Sequence, residues 1–87
     1  MKAILQYPLR LGAIIRVHRM ERYFDRLVAT PENPNPRLVR RLWAYIDSGR
    51  WRRDYELDEQ GALPKNLKRG VLSEDGLWNL LTELDHN

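Results

Sequence analysis

Most of the residues in this chain that could do chemistry are arginines. Arg50, Arg52 and Arg53 bracket Trp51, and Arg19, Arg22, Arg26, Arg40 and Arg41 recur at helical spacing upstream. Arginine rows neutralise phosphates and release counterions, and a tryptophan among them can stack on an exposed base. These eight arginines therefore form a candidate nucleic-acid surface. No helix-turn-helix, zinc-finger or RNA-binding signature accompanies them, so charge alone carries that reading. The competing reading buries Trp51 and leaves the arginines solvated or paired with Asp54, Glu56, Asp58 and Glu59.

Catalytic equipment is thin. His18 falls on the polar side of a helical stretch and His86 lies next to the end of the chain. Ser48 and Ser73 are better explained as helix-end residues, and no Ser/His/Asp or Cys/His set assembles. Asp54, Glu56 and Asp58 alternate like the opening of a calcium loop, but Glu59 stands where such a loop needs glycine. Lys65 stands where it needs the closing glutamate. Two histidines alone do not define a metal site. The expectation is a non-enzymatic protein with no cofactor, no metal and no small-molecule substrate.

The stretch Gly70-Val71-Leu72-Ser73-Glu74-Asp75 has a different logic. Lys68, Arg69 and Gly70 before a helix start could cradle a phosphate, but Glu74 and Asp75 place two carboxylates where the anion would sit. As structure, the pattern is coherent. Ser73 is expected to cap the first turn, Glu74 and Asp75 to face the helix dipole, and Leu72 and Leu77 to form a hydrophobic staple. A positive φ at Gly70 would complete a tight turn.

Length and charge bound the class. Eighty-seven residues make a single small domain, and 43% hydrophobic content with three tryptophans argues for a packed core. The absence of cysteine suits a reducing cytoplasm. The apolar run Ala3-Ile4-Leu5 stops at Gln6 and Pro8, short of a signal peptide, and no run is long enough for a membrane span. The net charge of +3 conceals a division. Residues 1–53 hold twelve basic and four acidic residues, a balance of +8, whereas residues 54–87 hold three and eight, a balance of −5. The halves either neutralise each other on folding or leave a basic surface for a partner.

The elements that must position these residues read as helices. Ala13, Val17, Met20, Phe24 and Leu27 step by four and three, predicting a helix over about 9–29 with Arg19, Arg22 and Arg26 opposite its apolar stripe. Ile15 falls on the arginine side and Ile14 at the edge of the stripe, so both are candidates for contact with a partner. Three prolines in residues 31–36 block continuation, and Asn35-Pro36 restarts a second helix over about 36–48, ended by Gly49. A short connector predicts an antiparallel hairpin. Over 50–63 Trp51, Tyr55 and Leu57 alternate with polar residues, which predicts an extended loop whose aromatics fold back on the hairpin. Leu77, Leu80, Leu81 and Leu84 predict a shorter helix over about 74–84. The expected fold class is mainly α: a hairpin, an aromatic-containing loop and a third helix.

Trp51, Asp54, Gly61 with Leu63-Pro64, Leu67, Gly70 to Asp75 and Leu80-Leu81 together resemble a family of small bacterial proteins catalogued only as a domain of unknown function. Arg19-Met20-Glu21 is a weaker match upstream. The resemblance implies a bacterial, cytoplasmic, mostly helical protein and carries no activity with it. The leading functional expectation is a protein-interaction or regulatory module, or self-association, with nucleic-acid binding as the alternative.

Overall fold

The computed structural model describes residues 2–73 and 75–85, and for residues 2–9 it describes the backbone. Helix α1 spans Lys2–Ala29, α2 Pro36–Asp47, α3 Arg50–Glu59 and α4 Gly76–Asp85, with a 3₁₀ turn at Gly70–Leu72. No strand occurs among the described residues. The mainly α class expected from periodicity holds, but α1 and α4 start elsewhere and a helix replaces the loop expected after Gly49.

The apolar stripe of α1 buries Ala13, Val17 and Leu27, with Met20 and Phe24 half-buried beside them. The helix starts at Lys2 rather than near Leu9, running through Pro8 and Gly12. Proline at this depth removes one backbone donor, a local loss that a helix of 28 residues carries. At 1.5 Å per residue α1 is about 42 Å long, and it sets the 49 Å long axis of the molecule.

Helix α2 starts as its sequence requires. The Asn35 side chain accepts from the Arg37 N–H at 2.9 Å, and Pro36 opens the first turn. Its buried side holds Leu38, Leu42 and Tyr45. Arg41 of α2 reaches Tyr23 near the end of α1, so the chain doubles back across the proline connector. Gly49, at φ +83°, ends α2 in the left-handed region and leads directly into α3.

Helix α3 corrects the expected loop. Its buried and half-buried positions are Trp51, Asp54, Tyr55, Leu57 and Asp58. Aspartate occupies two of the five, so the apolar residues alone trace no helical period along the segment. Both acids have partners elsewhere in the fold. Trp51 and Tyr55, one turn apart, stack at 5.2 Å between ring centroids.

The 3₁₀ turn buries Val71 and Leu72 against α1 and α4. Leu72 joins Leu77, Leu81 and Leu84 in the core, but with α4 starting at Gly76 the pair Leu72 and Leu77 does not hold the positions of the expected staple. The expected cap does not form at Ser73. That residue is extended, with its N–H donating to the Gly70 carbonyl, and α4 begins only at Gly76. The 3₁₀ turn occupies the chain up to Ser73, which displaces the helix start. Asp75 precedes the first turn, where its charge still favours the dipole, and its carbonyl accepts from the Asn79 N–H. Glu74 and His86 lie outside the described residues.

Candidate functional site

Two buried carboxylates organise the interior. Asp54 is fully buried and accepts from Arg16 Nε at 2.8 Å, from Arg16 Nη2 at 2.5 Å and from the Tyr45 hydroxyl at 2.6 Å. Arg16 grips both oxygens, which joins α1 to α3 through a bidentate pair. This hydrogen bond holds the Arg16 guanidinium above its ordinary pKa. Burial, reinforced by the bond to Asp54, pushes the Tyr45 hydroxyl well above the usual phenol range. A neutral tyrosine donating to a paired carboxylate serves cohesion.

Glu21 is the second. It is 6% exposed, and its two oxygens accept from the Gly70 N–H at 3.1 Å and the Val71 N–H at 2.9 Å. One side chain of α1 thereby caps the start of the 3₁₀ turn. Gly70 does not have positive φ. It is needed there because a Cβ would lie 2.8 Å from Glu21 Oε1. Trp51 closes the same junction by donating Nε1–H to the Val71 carbonyl at 2.9 Å. Arg69 bonds Asp58 and the carbonyls of Leu67 and Pro64, which ties the 64–69 segment to α3. The buried or paired acids Asp54, Glu21 and Asp58 are thus engaged in holding elements together.

The eight candidate arginines, Arg19, Arg22, Arg26, Arg40, Arg41, Arg50, Arg52 and Arg53, are all exposed. Only Arg52 has a carboxylate partner among the described residues, Glu56 at 4.0 Å. The well-formed ion pairs use Arg16 and Arg69, neither of them among these eight. Between the basic and acidic halves the ion pairs are therefore Arg16–Asp54 and the loose Arg52–Glu56, and most of the other arginines of residues 1–53 face solvent. Arg41 donates to the Tyr23 hydroxyl at 2.7 Å and lies over its ring. On α1, Tyr23 sits one turn from both Arg19 and Arg26, so it links the arginine rows of the two hairpin helices.

The aromatics divide unexpectedly. Trp51 is half-buried and bonded, as the reading that buries it requires. Trp78 is 53% exposed and meets Trp43 edge to face at 5.3 Å between centroids. A cavity of about 130 Å³ beside them is lined by Ile46, Trp51, Leu77 and Trp78. Ile15 is half exposed and Ile14 packs against the core. Among the described residues no group of three His, Asp or Glu side chains could hold a metal ion. No described helix is long and apolar enough to cross a membrane.

Fold and site together define a small all-helical domain stitched by buried carboxylates, with arginines and tryptophan on its surface. The chain belongs to the family described as a domain of unknown function, DUF4298, whose model matches residues 17–86. The match takes in Glu21, α3 and the 3₁₀ turn. No curated protein and no solved structure matches this chain.

Proposed function

We propose that this protein is a non-enzymatic cytoplasmic interaction module. The observation that carries this reading is the surface at Trp78. Its indole is half exposed, held edge to face by Trp43, and borders a small apolar cavity. A rigid, partly open tryptophan beside a pocket has the character of an interface anchor, since such residues dominate binding energy between proteins. The acids nearest to catalytic form, Asp54 and Glu21, are engaged in cohesion, which also favours binding over chemistry.

The test is affinity capture with the intact protein, paired with a Trp78→Ala bait of matched thermal stability. Loss of a specific partner, or of self-association, on removing the indole supports the reading. A strictly monomeric protein that recovers no specific partner defeats it.

The solvent-facing arginines favour a second reading, nucleic-acid binding. It requires retention on heparin and DNA or RNA binding that weakens steeply with salt. Replacing Arg19, Arg22 and Arg26 by glutamine should flatten the salt slope for duplex DNA by about 0.9 for each phosphate no longer neutralised. Absence of binding at low salt sinks this alternative.

A further inference from the structure

The seam between α1 and α2 sets cations around an aromatic ring. Arg19, Tyr23 and Arg26 follow one another on α1 within an arc of about 60°, at 3.6 residues per turn. Arg37 and Arg41 stand one turn apart on α2. Arg41 joins the two rows: it donates to the Tyr23 hydroxyl at 2.7 Å and lies 5.5 Å from the ring centre. All four arginines are exposed. Among the described residues Arg19, Arg26 and Arg37 make no side-chain hydrogen bond or ion pair.

The nearby acids stand elsewhere. Glu21 and Asp25 face the segment 64–68 on the other side of α1, and Glu21 is bonded to the 3₁₀ turn. Asp54 is buried and held by Arg16. Asp47 lies beyond Arg41 on α2, about 120° round the helix. Glu32 is in the proline connector at one end of the seam and pairs with none of the four arginines. The ring then narrows the kind of anion this surface fits. Tyr23 is half-buried, packed on the hairpin core and held at its hydroxyl, so its open part is fixed in place. Arg19 and Arg26 are about 10.5 Å apart along α1, and Arg37 and Arg41 about 6 Å apart along α2. Spaced phosphates with a flat base between them use both the cations and the ring. A carboxylate-bearing peptide uses the cations and leaves the ring idle. In a duplex the base faces are covered by their neighbours, so only an unpaired base can lie on a ring or a guanidinium.

We propose that the α1–α2 seam binds single-stranded nucleic acid in preference to duplex, with phosphates on Arg19, Arg26 and Arg37 and one base stacked at Tyr23 and Arg41. Arginine suits both tasks, since its planar fork grips phosphate through two N–H groups and its face stacks on flat rings. The proposal rests on the nucleic-acid reading above and adds the strand type and the stacking residues. It is independent of the Trp78 surface, which lies on α4.

The test is fluorescence anisotropy of the intact protein with labelled oligothymidylate, oligouridylate and a duplex of the same length, and with unlabelled polyglutamate as competitor. At low salt we expect saturable binding of the single strands, about tenfold tighter than the duplex. Both strands should bind, because phosphate contact and stacking do not read the 2′-OH, and binding of either supports the proposal. Tyr23→Leu should weaken the single strands about tenfold, the loss of one stacked base, and leave duplex binding unchanged. Tyr23→Phe keeps the ring and should retain the preference. Arg19→Gln and Arg26→Gln should each lower the single-strand salt slope by about 0.7, while Lys65→Gln, outside the seam, leaves it unchanged. Tyr23 is half-buried, so its variants are compared after circular dichroism shows a wild-type fold. The strand preference of the unaltered protein tests the proposal without them. Duplex binding as tight as single-strand binding overturns the proposal and leaves the broader nucleic-acid reading standing. Absence of binding to every nucleic acid at low salt removes both. Displacement of the single strand by polyglutamate at equal charge concentration, or a folded Tyr23→Leu that binds like the wild type, also overturns it.

Discussion

Gly70→Ala offers the sharpest test of how this fold is held together. The added methyl would sit 2.8 Å from Glu21 Oε1 and 3.5 Å from Phe24. The carboxylate cannot swing away cheaply, because it is buried and bonded to the Gly70 and Val71 N–H groups. Crowding of this kind costs about 1–3 kcal/mol. Shifting Glu21 also weakens bonds to a charged acceptor, each contributing about 1.5–3 kcal/mol. We therefore expect a total loss of about 2–4 kcal/mol, a large share of the roughly 4–13 kcal/mol stability typical of this length. Urea denaturation followed by circular dichroism measures it. The diagnostic is a double-mutant cycle with Glu21→Ala. Removing the carboxylate alone should destabilise strongly, by leaving two N–H groups without their acceptor, but it also makes room for the methyl. In the Glu21→Ala background Gly70→Ala should cost less than about 1 kcal/mol, giving a coupling of at least about 1 kcal/mol. An equal cost in both backgrounds would refute the close approach to Glu21, and a neutral Gly70→Ala would refute the whole account of the turn.

Asp54→Ala should cost about 3–5 kcal/mol, because it strands Arg16 and the buried Tyr45 hydroxyl together; a melting point within a few degrees of wild type would contradict that. Ser73→Ala should stay within about 0.5 kcal/mol, since this exposed serine caps no helix; a loss near 1 kcal/mol in urea would restore the capping role. Alkaline stability should report on Tyr45. Its folded pKa is raised, so the stability it contributes is fully present below the unfolded value near pH 10 and declines as pH rises above it. The decline has a slope of up to about 1.4 kcal/mol per pH unit. Tyr45→Phe should flatten that limb of a urea midpoint series, and an unchanged slope would assign the titration elsewhere.

The sequence by itself determined the helical class, the arginine-free stripe of α1, the proline connector with its Asn35 cap and the apolar face of α4. Each of these depends on residues within a turn or two of one another, so spacing and side-chain type suffice. Arg19, Arg22, Arg26, Arg40 and Arg41 were also legible as exposed, because they lie opposite an apolar stripe. Apart from the early start of α1, the parts that went unread depend on long-range pairing. Helix α3 hides its period because Asp54 takes an inward position, acceptable only with Arg16 and Tyr45 brought from two other helices. Gly70 looks like a turn glycine, whereas its reason is a glutamate 49 residues earlier in the chain. Which arginines are neutralised likewise follows from where Asp54 and Asp58 end up. The stretch from Gly70 to Asp75 shows the division most clearly. Its leucines announced a buried junction from sequence, but only tertiary structure supplied Glu21, the carboxylate that anchors it. Burying an ionised carboxylate is costly unless it finds donors, and chain topology decides where those donors are.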